Sequence, residues 1–139
     1  MVSHSPEETL AWGRALAKEL QPPCLVRLEG ELGSGKTTLA KGIVAGLGAA
    51  REEDVTSPSF TLVHEYGQEL KVFHVDLYRI ECAHDLETLG LEDLWSQRAT
   101  VIVEWGEKLG DNPLSPQVRI QLEHLGAEER RITVEQLST

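Results

Sequence analysis

The sequence predicts an α/β fold in which helices flank a small sheet of mixed parallel and antiparallel strands. Residues 24–48 read as an apolar strand, a glycine-rich loop and a helix. Residues 101–105 are a continuous apolar run, typical of a strand buried on both faces of a helix-covered sheet. Residues 117–136 alternate between apolar and polar side chains and predict a terminal hairpin.

Length and composition limit the classes of protein to consider. A chain of 139 residues has the size of one domain, so we predict a single domain over residues 1–139. The formal net charge of −10 argues against direct contact with a nucleic-acid backbone, because such binding uses Lys and Arg to neutralise phosphates. Cys24 and Cys82 form no C-x-x-C pair, which fits a reducing compartment. With no apolar run of signal-peptide or membrane-span length, we expect a cytoplasmic protein that contacts no membrane.

The first predicted element is a helix from Ser5 to about Leu20. Ser5 is placed to act as the N-cap, Pro6 occupies the first helical position, and Glu8 is placed to close a capping box. We expect this helix to pack on the core through an apolar stripe. The stripe consists of Leu10, Ala11, Ala15, Leu16 and Leu20.

The glycine-rich loop at residues 30–37 fits the phosphate-binding pattern G-x-x-x-x-G-K-[ST]. Its glycines allow successive backbone N–H groups to turn toward phosphate oxygens, at the start of a helix whose dipole favours the same anion. Lys36 is placed to reach the β- and γ-phosphates, and the Thr37 hydroxyl is a candidate ligand for Mg²⁺. A chance match within an ordinary turn is the alternative. The position of the loop between an apolar strand and a helix argues against it.

Residues 56–60, Thr-Ser-Pro-Ser-Phe, follow the helix of the glycine-rich loop. Ser-Pro and small hydroxyl residues are common in plain turns, so an ordinary loop is one interpretation. The other is a switch-like loop in which Thr56 or Ser57 senses the γ-phosphate and Mg²⁺.

Residues 61–66 and 70–78 predict two strands of an antiparallel hairpin. The second strand would place His74, Asp76 and Tyr78 on one face. An exposed sheet edge would explain this polar row. The functional alternative is that Asp76 belongs to the Mg²⁺ shell or orients the attacking water. His74 and Arg79 are possible accessory residues, although either is as easily structural.

Residues 82–97 predict two short helices around a glycine. Glu104 follows at the carboxyl end of the apolar strand, and ligands of open α/β sheets bind at that edge. We therefore predict that its carboxylate lies near the bound nucleotide and its metal. The alternative is a first loop residue that faces water. Trp105 would either stack on the base or seal the core.

Five motifs, in their order along the chain, resemble the TsaE (YjeE) family of bacterial tRNA threonylcarbamoyladenosine biosynthesis ATPases. The first contains Gly30, Glu31, Leu32, Gly33, Ser34, Gly35, Lys36, Thr37 and Thr38, and the others are residues 56–60, 74–79, 90–93 and 103–105. The first motif is shared by many protein families, whereas the ordered set is specific.

The resemblance implies a small mixed-sheet P-loop NTPase fold and Mg²⁺-dependent ATP hydrolysis. It also implies association with the TsaD and TsaB proteins, which act on tRNA, so that this chain meets tRNA only indirectly. By motif position, residues 30–38 would bind ATP, Thr37 and Glu104 would hold Mg²⁺, and Asp76 would serve hydrolysis.

Other functions share part of this pattern. A small-molecule kinase would use the same loop but needs an acceptor pocket and usually a lid with arginines. A GTPase is less favoured, because the sequence contains no Asn-Lys-x-Asp guanine-reading motif. A nucleotide-gated binding module with negligible hydrolysis remains open. Arg79 and Arg98 are the nearest candidates for stabilising charge at the γ-phosphate, and neither lies in a recognised arginine-finger motif.

Overall fold

The fold is given by a computed structural model, which describes residues 1–31, 33–58, 62–68, 70–110 and 116–137, apart from the side chains of Ala83 and Leu137. The strands are β1 Val2–Ser3, β2 Cys24–Gly30, β3 Val63–Tyr66, β4 Val72–Asp76, β5 Thr100–Glu104, β6 Gln117–Gly126 and β7 Glu129–Leu137. The helices are α1 Pro6–Ala17, α2 Lys36–Gly46, α3 Ala83–Leu89 and α4 Leu91–Trp95, with short 3₁₀ turns at Glu52–Asp54 and Gly106–Leu109. Of the helices in these ranges, none has the length and apolar character needed to cross a membrane.

The strands in the described ranges form one seven-stranded mixed sheet, in the order β1-β7-β6-β2-β5-β4-β3. The strands β6, β2, β5 and β4 run parallel, while β3, β7 and β1 pair antiparallel with their neighbours. This confirms the predicted α/β class. The parallel register places Leu28 and Asp76 beside Glu104, so the carboxyl ends of β2, β4 and β5 meet at one edge.

Apolar side chains pack on both faces of the sheet. On β2, Val26 and Leu28 belong to one core cluster together with α2, whereas Leu25 belongs to the cluster beside α4. All five residues of β5 are buried, as expected for a strand between two parallel neighbours in a covered sheet. The sheet is therefore fixed from both sides close to its carboxyl edge.

The N-terminal helix departs from two sequence predictions. The Ser5 hydroxyl accepts a hydrogen bond from the Glu8 backbone N–H at 3.1 Å, which confirms the N-cap. The capping box is wrong, because the Glu8 carboxylate accepts instead from the His4 N–H at 3.0 Å. The predicted stripe is also wrong in part, since Ala11 and Ala15 are exposed. The buried residues of the helix are Thr9, Gly13 and Ala17.

The close packing of α1 on α2 explains this shift of the buried face. A Cβ atom added to Gly42 would lie 2.4 Å from the Leu10 carbonyl oxygen, and one added to Gly13 would lie 2.6 Å from the Leu39 carbonyl oxygen. The helices approach so closely that only glycine fits at these two contacts. A pattern of large apolar residues does not reveal such a contact, because the residues that create it have no side chains.

The predicted hairpins and short helices are present with shifted ends. The antiparallel pair β3 and β4 is confirmed, but β4 ends at Asp76 rather than at Tyr78. Residue 61 of this prediction, and residue 69 between the two predicted strands, lie outside the described ranges. Because β4 lies between β3 and β5 and all its residues are buried, the exposed-edge interpretation of His74 and Asp76 is wrong. The two short helices are confirmed as α3 and α4, and the terminal hairpin as β6 and β7.

Candidate functional site

The glycine loop, residues 30–37, connects β2 to α2 at the carboxyl edge of the sheet, and Leu32 within it lies outside the described residues. Gly35 caps α2 with a φ of 99°, a left-handed conformation that favours glycine. A Cβ added at Gly30 would lie 2.4 Å from the Leu122 carbonyl oxygen, so β6 leaves no space for a side chain. These two glycines allow the chain to turn sharply into the helix, whose first N–H groups have no intrahelical partners.

Lys36 is nine-tenths buried at the base of this loop. Its ammonium donates hydrogen bonds to the carbonyl oxygens of Gly30 at 2.6 Å and Glu31 at 2.9 Å. The Trp105 ring lies against the same group, with 3.9 Å between Nζ and the ring centroid. Burial lowers the pKa of Lys36, while the carboxylates of Glu107, Glu104 and Asp76 act in the opposite direction.

Glu104 is held between Thr37 and His74 at the end of β5. The Thr37 hydroxyl donates to one carboxylate oxygen at 2.8 Å, and Nε2 of His74 lies 2.5 Å from the other. Nδ1 of His74 is buried without a hydrogen-bond partner among the described residues, which favours the tautomer with its proton on Nε2. His74 therefore donates to Glu104 and fixes the orientation of the carboxylate.

Asp76 is fixed by the segment that follows it and by the loop before β3. One of its carboxylate oxygens accepts from the Tyr78 N–H at 2.8 Å, and the other from the Ser57 hydroxyl at 3.2 Å. Only 3% of Asp76 is exposed. Ser57 thus connects the predicted switch loop to a carboxylate of the site, whereas residues 59 and 60 of that loop lie outside the described ranges.

A cavity of about 730 Å³ lies at this edge of the sheet. The sequence-predicted site residues that line it are Gly33, Gly35, Lys36, Thr37, Thr38, Ser57, Asp76, Arg79, Glu104 and Trp105. His74 is completely buried behind Glu104. Thr56 is not part of the lining, and its backbone N–H donates to the Tyr66 hydroxyl at 3.3 Å. Arg98 precedes β5 and so lies at the opposite, amino edge of the sheet.

Two lining residues, Tyr78 and Arg130, were not among the site residues predicted from the sequence. Tyr78 packs against Trp105, with 5.1 Å between the ring centroids, and half of Tyr78 is exposed. Arg130 comes from β7, in the hairpin to which the sequence assigned no role in the site. The local sequence around Arg130 does not reveal that it lines the cavity, because the pairing of β6 with β2 brings β7 and this residue to the site.

The oxygen atoms around Thr37 and Glu104 could hold a hard cation together with a ligand. Among the described residues, no group of three or more His, Cys, Asp or Glu is arranged to bind a metal alone. Mg²⁺ is commonly held by one or two protein oxygens, with substrate phosphates and waters completing its octahedron. The hydroxyl of Thr37 and the carboxylate of Glu104 fit that requirement.

Comparison with known proteins connects this geometry to a family. The family model for threonylcarbamoyl adenosine biosynthesis protein TsaE matches residues 3–132. The chain belongs to the TsaE family. Its family role is in tRNA threonylcarbamoyladenosine biosynthesis, a tRNA modification.

Individual TsaE relatives match along most of the chain. The tRNA threonylcarbamoyladenosine biosynthesis protein TsaE of Treponema pallidum is 35% identical over 133 residues, covering 96% of this chain and 97% of the relative. That of Bacillus subtilis is 37% identical over 130 residues, covering 93% and 80%. The crystal structure of Bacillus subtilis YdiB superposes with a TM-score of 0.75 at 31% identity, covering 96% of this chain and 82% of YdiB. The fold and the family therefore agree.

Proposed function

We propose that this chain is the Mg²⁺-dependent, ATP-binding and ATP-hydrolysing subunit that supports TsaD and TsaB in threonylcarbamoyladenosine modification of tRNA. The observation that carries the proposal is the convergence of Lys36, Thr37, Asp76 and Glu104 on one cavity beside the glycine loop. Such a cavity combines a helix N-terminus and a lysine with two fixed carboxylates. That combination suits an anionic nucleotide and its cation.

Phosphate binding is assigned to the glycine loop and Lys36. The loop N–H groups and the N-terminus of α2 favour an anion. The Lys36 ammonium lies beside them, where it is hydrogen-bonded to the carbonyl oxygens of Gly30 and Glu31. The carbonyl oxygens of Gly30 and Glu31 that now accept from Lys36 belong to the loop itself. A phosphate oxygen that replaced them would gain a charge-assisted hydrogen bond.

Thr37 and Glu104 are proposed as the protein ligands of Mg²⁺. Their oxygen atoms are 2.8 Å apart, close enough for both to bind one cation once the Thr37 hydroxyl proton turns away from the carboxylate. When bound, Mg²⁺ would neutralise charge on the β- and γ-phosphate oxygens. His74 donates to the second oxygen of Glu104, and this fixes the direction in which the carboxylate faces the cavity.

Asp76 is proposed to serve hydrolysis by orienting the attacking water, a role that Glu104 could share. Hydrogen bonds from Tyr78 and Ser57 hold both Asp76 oxygens, so the carboxylate is oriented before any substrate binds. Ser57 belongs to the proposed switch loop. Occupation of the γ-phosphate position would therefore be communicated to this loop through Asp76.

Association with TsaD and TsaB is proposed to depend on the bound nucleotide. The acidic chain, with a formal net charge of −10, suits a basic patch on a partner and leaves tRNA contact to that partner. We place the protein in the cytoplasm, where Cys24 and Cys82 would remain free thiols, as they are in the structure.

The partner proposal predicts that the affinity for a TsaD and TsaB assembly depends on the nucleotide state. We expect binding to be tightest with a non-hydrolysable ATP analogue and Mg²⁺, and clearly weaker with ADP or with no nucleotide, because only the γ-phosphate is placed to order the loop that contains Ser57. Calorimetric titration of the assembly under the three conditions measures this. Equal affinities in all three would show that nucleotide state does not control the association.

A further inference from the structure

Arg130 brings a positive charge to the glycine loop from a distant part of the chain. It lies near the start of β7, opposite His124 of β6, and β6 is the parallel neighbour of β2. Its Nε lies 3.7 Å from the position that a Cβ atom would occupy on Gly35. Arg130 is half-buried and lines the same cavity as Lys36. The loop is therefore flanked by a cation that neither the motif nor its neighbouring residues include.

The hairpin turn holds this guanidinium in place. Nη1 of Arg130 donates to the carbonyl oxygens of Ala127 at 3.2 Å and Glu129 at 3.0 Å. Within the described ranges, all hydrogen bonds of the Arg130 side chain leave from Nη1, and no carboxylate pairs with it. The N–H donors on Nε and Nη2 thus remain available to a ligand. Because the turn already orders the side chain, binding a ligand costs less conformational entropy.

We infer that Arg130 is a nucleotide-binding residue that contacts the α- and β-phosphates, an assignment that rests on the proposed function. In a loop of this pattern the backbone cradles the α- and β-phosphates, while the lysine reaches the β- and γ-phosphates. Arg130 lies beside Gly35, whose backbone belongs to the part of the loop that cradles the α- and β-phosphates. A guanidinium there binds phosphate oxygens through two donors. Because ADP and ATP share these phosphates, the contact contributes similarly to the binding of both.

The test compares Arg130→Gln with Arg131→Gln. The neighbouring Arg131 is a matched control, because successive residues of a strand point to opposite faces and its Nη1 pairs with Glu123 at 2.8 Å. Titration calorimetry with MgADP and with a non-hydrolysable MgATP analogue should show about 10- to 100-fold weaker binding of both by Arg130→Gln. Arg131→Gln should bind both as wild type does. In turnover with the TsaD and TsaB assembly, the loss should appear mainly in KM.

Other results would overturn the assignment. Unchanged ADP affinity in Arg130→Gln removes Arg130 from the nucleotide site, and a loss confined to kcat makes it a charge stabiliser of the transition state instead. Failure of the wild-type chain to bind either nucleotide would contradict the proposed function itself, which distinguishes the two failures. If Arg130→Gln melts at a lower temperature without nucleotide, Arg130→Lys decides the question. The lysine variant retains the charge and should recover part of the affinity, and no recovery would contradict a phosphate contact.

Discussion

A Lys36→Ala variant is expected to bind MgATP about 100-fold or more weakly than wild type. The substitution removes the ammonium group that we propose contacts the β- and γ-phosphates, and each charge-assisted hydrogen bond is worth about 1.5–3 kcal/mol. Calorimetric titration with a non-hydrolysable ATP analogue measures the affinity.

The free energy of unfolding of Lys36→Ala should stay close to that of wild type. Burial of the Lys36 ammonium lowers its pKa and so opposes folding in the charged form, while its hydrogen bonds to the Gly30 and Glu31 carbonyl oxygens favour folding, and Lys36→Ala removes both contributions. Lys41→Ala, which changes a lysine of the same helix away from the cavity, is the matched control and should bind ATP normally. Full ATP affinity in Lys36→Ala would remove the glycine loop from the proposed site.

Glu104→Gln is expected to lower kcat for ATP hydrolysis on the order of 100-fold, with a much smaller effect on nucleotide affinity. The amide retains the shape of the side chain and loses the negative charge that a cation requires. It can still accept from His74 and donate to the Thr37 hydroxyl, which serves as donor or acceptor, so the local contacts are preserved. Phosphate release and nucleotide affinity measured on the same variant separate the two effects.

The affinity measurement serves as the internal control for Glu104→Gln. Normal folding and normal nucleotide binding with slow hydrolysis would place Glu104 at the metal or the attacking water. Should the variant hydrolyse ATP at the wild-type rate, Glu104 has only a structural role in holding Thr37 and His74.

The sequence predicted correctly those elements that are determined by a few consecutive residues. The β2–loop–α2 unit follows from an apolar run, glycines and a helix start, and the burial of β5 follows from its continuous apolar sequence. The position of Glu104 at a strand end also follows, since it ends a continuous apolar run. These features depend on a few consecutive residues, and so the sequence contains them directly.

Features that depend on distant contacts were missed or misassigned. The buried face of α1 is set by Gly13 against Gly42, and no side chain marks that contact. Arg130 enters the site because β6 pairs with β2, far away along the chain. His74 lies in a polar row that an exposed edge would also explain, and only its pairing within the sheet places it against Glu104. For Trp105 the sequence suggested stacking on the base or sealing the core, and the contact of its ring with the Lys36 ammonium was not predicted.

The central claim is that this chain hydrolyses ATP with Mg²⁺ and that the site is completed by a partner. Single-turnover release of phosphate from ATP, measured for the purified chain with and without the TsaD and TsaB assembly, tests it most directly, with EDTA in place of Mg²⁺ as the control. We expect the chain alone to release phosphate slowly and the assembly to accelerate this release roughly 10³-fold, because a completed site stabilises the charge of the transition state. In EDTA we expect no release. If the assembly produces no Mg²⁺-dependent phosphate release, the chain is a nucleotide-binding module without hydrolysis and the claim is wrong.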